Sequence, residues 1–213
     1  MDDLNISDKL EASIDSVSYG LGVDIATNIK SQGVDDINPA LLAKAMADVF
    51  AGKDLKIKKE DAGPLLQNHF QKKYEQKMEK NLTEGQAYLE KNKAEKDVVT
   101  LASGLQYKVI KQGTGAMPKA TDAVSVHYHG TLINGTVFDS SVDRGEPASF
   151  PVNGVIPGWT EALQLMPVGS KWMLYIPTEL AYGKNVRGGG AIEPNMALIF
   201  EVELLSIDIA PKQ

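Results

Sequence analysis

Tyr128, Phe138, Asp139, Val155, Ile156, Trp159, Tyr182 and Phe200 spread aromatic and aliphatic groups, one carboxylate and two phenols over the strand-rich half of a chain without cysteine. That inventory suits a reaction needing a shaped apolar pocket and no bond-breaking nucleophile, such as rotation about a prolyl peptide bond. A prolyl amide turns over a barrier of about 18–20 kcal/mol, because resonance puts negative character on its oxygen and positive character on its nitrogen. The twisted amide loses this charge separation, so a pocket that excludes water favours it and donors along the substrate chain hold it there. About 7 kcal/mol of differential binding gives a roughly 10⁵-fold acceleration with no proton transferred.

Other chemistries find less support. There is no GxSxG nucleophile elbow. The stretch from Gly183-Lys184-Asn185 to Gly188-Gly189-Gly190 lacks the order of a phosphate loop and reads as a flap that also carries Arg187. His127 and His129 stand two apart on a strand and share a face, but His69 lies in a helical segment, so neither a metal nor any other cofactor is expected. Net charge is −6 with both signs interspersed, giving no basic stripe for nucleic acid. No segment is apolar enough to span a bilayer, and the acidic start Met1-Asp2-Asp3 lacks a signal-peptide pattern. A cytoplasmic location is expected, or a periplasmic or outer-membrane-associated one if a leader was removed. Taken singly, Trp159, Phe138 and Phe200 read as core, and Asp139-Ser140-Ser141 as a turn or cap.

Two kinds of element must position these groups. Leu10, Ile14, Val17, Leu21, Ile25 and Ile29 recur at helical spacing up to a stop at Gly33, with Gly20 and Gly22 inside the stretch at a cost in helix propensity that a close approach by another backbone would explain. A second helix has Asn38 as cap, Pro39 as its first residue, Leu41, Leu42, Met46 and Phe50 as buried face, and Gly52 as its end. From about Pro64 to Lys93 a third runs roughly 45 Å, broken only by Gly85, and reads as a solvated rod striped by Leu66, Phe70, Tyr74, Met78 and Leu82. After Lys96 the pattern turns to strands, clearest at 105–111, 123–132, 170–176 and 197–207. One short helix near Trp159 is expected to bury Trp159, Ala162 and Leu165 against the sheet. The fold class is α+β.

The strings VSVHYHG, GTVFDSS, FPVNGVIPGW, MPVGSKW, IPTELAYG and LIFEVELL occur in that order. In this respect the chain from about Leu101 resembles the FKBP-type peptidyl-prolyl cis-trans isomerases, whose motifs are similarly spaced. The resemblance implies a strongly bent antiparallel sheet round a short helix. Trp159 becomes the pocket floor, with Tyr128, Phe138, Val155, Ile156 and Phe200 as walls and Ile192 as an apolar contact on the overhanging loop. Asp139, the Ile156 N–H and the Tyr182 hydroxyl become the polar contacts. Tyr128 and Arg144 are expected to hold a partly buried, ionised Asp139. Ala148 and Ala191 stand where many members carry larger apolar groups, which implies a more open rim. Proline-containing unfolded or partly folded polypeptides are the expected partners, with macrolides of the FK506 or rapamycin type as possible ligands.

The helical half resembles, more loosely, the amino-terminal region of the macrophage infectivity potentiator and FklB-like subgroup. There the first two helices of two chains intertwine, giving a V-shaped homodimer, and a chaperone role follows from the cleft between its arms. The boundaries on this reading are a dimerisation domain over 1–98, including a connecting helix at about 60–96, and an isomerase domain over 99–213. The rival reading is a non-catalytic module that binds proline segments. Asp139, Tyr182 and Trp159 together favour catalysis.

Overall fold

The structure is a computed structural model, and it describes residues 9–31, 34, 36–186 and 190–208. The chain divides into two compact units, residues 1–76 and 77–213. The first holds α1 (Ser13–Ser31), α2 (Pro39–Phe50) and the opening turns of α3 (Lys59–Asn92). Asp15 accepts from the Glu11 and Ala12 N–H groups at 3.1 and 2.9 Å, and the Asn38 side chain accepts from Leu41 N–H at 3.1 Å. These three bonds satisfy amides at a helix start that have no partner within the helix. Pro39 follows as the first residue of α2.

Two expectations for these helices need correction. Leu10 precedes α1, and Gly33 lies outside the described residues. More importantly, Leu41, Leu42, Met46 and Phe50 do not form a buried face within one chain: all four are exposed, Phe50 at 86%. Ile14, Val17 and Leu21 on α1 are exposed too. Two short helices offer each other too little surface to cover both apolar faces.

Helix α3 is 34 residues long and begins at Lys59, so Gly63 and Pro64 lie inside it rather than ahead of it. Pro64 forgoes the bond its missing N–H would have made to the Glu60 carbonyl, and its ring crowds that carbonyl. The solvated-rod description fails for the end of α3 that belongs to the second unit. Asn81, Gly85 and Asn92 are buried there. Gly85 is no breaker: a Cβ at this position would stand 3.1 Å from the Ala197 Cβ, so its hydrogen is what allows the helix to sit against that residue. Asn92 donates to Gln106 Oε1 at 2.8 Å, and Gln106 donates to the Leu89 carbonyl at 2.8 Å.

The second unit is a seven-stranded antiparallel sheet. Its strands are β1 (Val98–Thr100), β2 (Gln106–Lys111), β3 (Ala123–Leu132), β4 (Val137–Ser140), β5 (Ala148–Pro151), β6 (Lys171–Ile176) and β7 (Leu198–Asp208). The order is β1-β2-β6-β7-β3-β4, with β5 beside the first half of β3. The four strands predicted from alternation are present within a residue or so, whereas β1, β4 and β5, of three or four residues, are too short to show a period. Val124, Val126, Tyr128 and Leu132 of β3 and Leu198, Phe200, Val202 and Leu204 of β7 point into one core. Each fully buried aliphatic side chain contributes about 1.5–3 kcal/mol. Glu201 and Glu203 occupy the other face, where Lys171 pairs with Glu201 at 2.5 Å.

Helix α4 (Ser141–Arg144) follows β4 directly, and α5 (Pro157–Leu163) precedes β6. Trp159, Ala162 and Leu163 of α5 enter the core with Met166 just beyond it, spacings of three, four and seven from Trp159. Leu165, expected to be buried, is 41% exposed, because the helix ends at Leu163 and its inner face passes to Met166.

Candidate active site

The centre of the site is a cluster of rings. Trp159 is 4% exposed, and its indole meets Tyr128, Phe150 and Phe200 edge to face, at centroid distances of 5.4, 6.0 and 5.3 Å. Phe138 extends the cluster with its own edge-to-face contact to Phe200 at 5.3 Å. Perpendicular packing sets the positive edge of one ring on the negative face of another and adds roughly 0.5–1.5 kcal/mol per pair. The Trp159 Nε1 is buried and has no hydrogen-bond partner among the described residues.

Strand register explains the convergence. In β3, Gly130 lies opposite Asp139 of β4 on one side and Phe200 of β7 on the other. A Cβ on Gly130 would come within 2.6 Å of the Phe138 ring and 2.9 Å of the Phe200 ring. The absent side chain is thus the space in which the two rings meet.

Asp139 is fixed from two directions. The Tyr128 hydroxyl donates to its Oδ2 at 2.5 Å, the Arg144 Nη1 donates to its Oδ1, and the Arg144 Nη2 donates to the Tyr128 oxygen at 2.9 Å. The guanidinium carbon also lies 5.6 Å from the centre of the Tyr128 ring. Burial pushes the Asp139 carboxyl up, but the Tyr128 and Arg144 hydrogen bonds outweigh it and hold the group below the usual carboxylate range. Burial and the bond to Asp139 raise the Tyr128 phenol, and the bonds to Tyr128 and Asp139 raise the Arg144 guanidinium. The ion pair is less buried than expected, with 45% of the Asp139 side chain and 47% of Arg144 exposed. Arg144 reaches it because Ser140 caps α4 by accepting from Asp143 N–H at 3.1 Å, while Ser141 accepts from Tyr128 N–H at 2.8 Å.

Val155 and Ile156 lead into α5 and pack partly buried against the core. The Ile156 carbonyl accepts from the Trp159 and Thr160 N–H groups at 2.9 and 3.1 Å, whereas its own N–H has no acceptor among the described residues. Beside the rings lies a hollow of about 380 Å³ lined by Phe138, Tyr182, Asn185, Val186, Gly190, Ala191 and Ile192. Tyr182 is 47% exposed, and its hydroxyl has no partner among the described residues. Trp159, Tyr128 and Phe200 do not line this hollow but connect to it through Phe138. Ala191 is on its wall, while Ala148 packs partly buried on the core and does not line it. Arg187, Gly188 and Gly189 of the expected flap lie outside the described residues.

Phe150 was not anticipated, although it opens the string FPVNGVIPGW and touches both Tyr128 and Trp159. Asn185 and Val186, which the sequence marks only as flap, line the hollow. The Nδ1 atoms of His127 and His129 meet the Ser141 and Ser140 hydroxyls at 3.2 and 2.9 Å. No group of three or more potential ligands among the described residues could hold a metal ion.

Residues 114–205 match the family model described as FKBP-type peptidyl-prolyl cis-trans isomerase. Residues 14–109 match that of the domain amino terminal to it. The outer membrane protein MIP of Legionella longbeachae is 48% identical, covering 91% of this chain and 85% of that protein. The FKBP-type 22 kDa peptidyl-prolyl cis-trans isomerase of Escherichia coli is also 48% identical, covering 94% and 97%. Among solved structures, that of FkpA from Escherichia coli superposes with a TM-score of 0.77 at 39% identity, covering 95% of this chain and 100% of that one.

Proposed function

This chain belongs to the FKBP-type peptidyl-prolyl cis-trans isomerases, and on that premise we propose that it accelerates rotation about X-Pro bonds at the site built round Trp159. It is an enzyme of binding and shape rather than of proton transfer. The proline ring rests against the aromatic cluster of Trp159, Tyr128, Phe138 and Phe200, with Val155, Ile156 and Ile192 completing the apolar walls. The Ile156 N–H and the Tyr182 hydroxyl, both without acceptors among the described residues, donate to carbonyl groups of the bound chain. Asp139, held ionised by Tyr128 and Arg144, keeps the Tyr128 ring in place and supplies a fixed polar contact beside the twisting amide. In this dry surround the planar amide, with its larger charge separation, is disfavoured relative to the twisted one.

The observation that carries this reading is the join between the ring cluster and the Tyr128–Asp139–Arg144 clamp, since Tyr128 belongs to both. A proline tetrapeptide assay tests it. Faster isomer relaxation at sub-micromolar protein is expected, and unchanged relaxation would leave only the non-catalytic binding reading. The same pocket is proposed to accept FK506-type macrolides.

A second reading concerns residues 1–98, taken as the dimerisation domain ahead of an isomerase domain at 99–213. The exposed apolar faces of α1 and α2 support pairing with a second copy, because a surface so rich in leucine, isoleucine and valine is costly to leave in water. Gly20 and Gly22 support it as well: apart from the neighbouring turns of their own helix, no atom of the described residues lies within 4 Å of where a Cβ would stand, so the space they leave suits another backbone. A dimer offers two pockets to one unfolded client, which is the basis for the proposed chaperone role. Among the described residues no helix is long and apolar enough to cross a membrane. We propose a cytoplasmic location. The name of the Legionella relative raises the envelope as the alternative, and recovery of the protein in the envelope fraction would overturn the cytoplasmic assignment.

A further inference from the structure

We infer that the end of α3 positions two walls of the pocket, through a reciprocal clasp between Asn81 on the helix and Asn195 on the loop that follows Ile192. The inference rests on the pocket assignment above. The Asn81 Nδ2 donates to the Pro194 carbonyl at 2.9 Å, and the Asn195 Nδ2 donates back to the Met78 carbonyl at 3.2 Å. Both asparagines are buried, at 8% and 6% exposure, so each amide would face a desolvation cost without its partner. Lys77 pairs with Glu193 at 2.7 Å, and Gly85 admits Ala197 at close contact, so residues 193–197 are held by α3 over more than two turns.

Asn195 has a second role that makes the clasp more than an anchor. Its backbone N–H donates to the Gly183 carbonyl at 2.9 Å, one residue beyond Tyr182. Its φ of +63° lies in the left-handed region, which asparagine tolerates better than most side chains and which lets one residue face both α3 and Gly183. Ile192 and Tyr182 stand on opposite sides of this junction and both line the hollow. Helix α3 therefore sets where an apolar contact and a hydroxyl donor meet the substrate. Asn81 is a positioning residue that acts through Ile192 and Tyr182 without touching substrate.

A double-mutant cycle on the full-length protein tests this, with Asn81→Ala, Ile192→Ala and the double variant assayed on one proline tetrapeptide. Asn81→Ala is expected to raise KM about fivefold while kcat stays within about twofold, and to add a smaller factor, carried by Tyr182 alone, in the Ile192→Ala background, because coupled residues are not additive. Equal factors in both backgrounds, or an unchanged KM in a folded Asn81→Ala protein, would overturn the clasp. Should Asn81→Ala fail to fold, Asn81→Asp keeps the volume, removes the donor and is judged by the same outcomes. If Ile192→Ala alone leaves KM unchanged, it is the pocket assignment that fails, so the two failures are told apart.

Discussion

At the residue scale, the Asp139 carboxylate is the group whose charge matters most. Losing it removes charge-assisted bonds of about 1.5–3 kcal/mol, and if these act in the transition state Asp139→Ala should lower kcat/KM roughly 10- to 100-fold in the tetrapeptide assay. Trp159→Ala should do the same and also destabilise the second unit by about 3–5 kcal/mol, the usual result of emptying a large aromatic site. Either variant at full activity would refute its assigned role. The carboxyl is depressed in the folded state, so its stabilising contribution is complete above the unfolded value of about 3.9 and is lost as pH falls through the folded value. In urea titrations the stability gap between the wild type and Asp139→Asn should therefore be constant near neutrality and close below about pH 4. With half the side chain in water, that gap will be small and salt-sensitive. Arg144 follows the string that holds Asp139 by three residues, and their pairing was legible only through the family resemblance. Phe150 was not, because a lone aromatic beside proline carries no sign of which ring it will meet.

At the scale of elements, the site depends on three strands converging on Gly130. Gly130→Ala should force the Phe138 and Phe200 rings apart, destabilising the unit by about 1–3 kcal/mol and raising KM, as thermal melts and the tetrapeptide assay would measure. A normal melt and normal KM would mean that the rings yield freely. Long strands could be read from alternation, and α2 from Asn38, Pro39 and Gly52, since each signal is local. The failures have different ranges. Gly85 looks like a breaker until Ala197, far away in sequence, is set beside it, and spacing alone could not supply that partner. Leu165 stands three residues past Ala162 and looks inward only until the helix is known to end at Leu163.

For the whole molecule, the exposed faces of α1 and α2 and the separately built sheet unit lead to a division of labour. Deleting residues 1–61 should give a monomer in sedimentation that keeps its activity on short peptides, where one pocket suffices, but catalyses refolding of a long chain less well. A truncated protein that still sediments as a dimer would refute the interface proposed here. The chain has two tryptophans, Trp159 and Trp172, and both are buried in the core of residues 77–213, the second stacked on Tyr107 at 4.3 Å. Indole fluorescence is consequently blind to residues 1–76. Heating should give an emission curve that records the sheet alone, while circular dichroism also registers the melting of α1 and α2, so the protein carries an intrinsic dye for one half and none for the other.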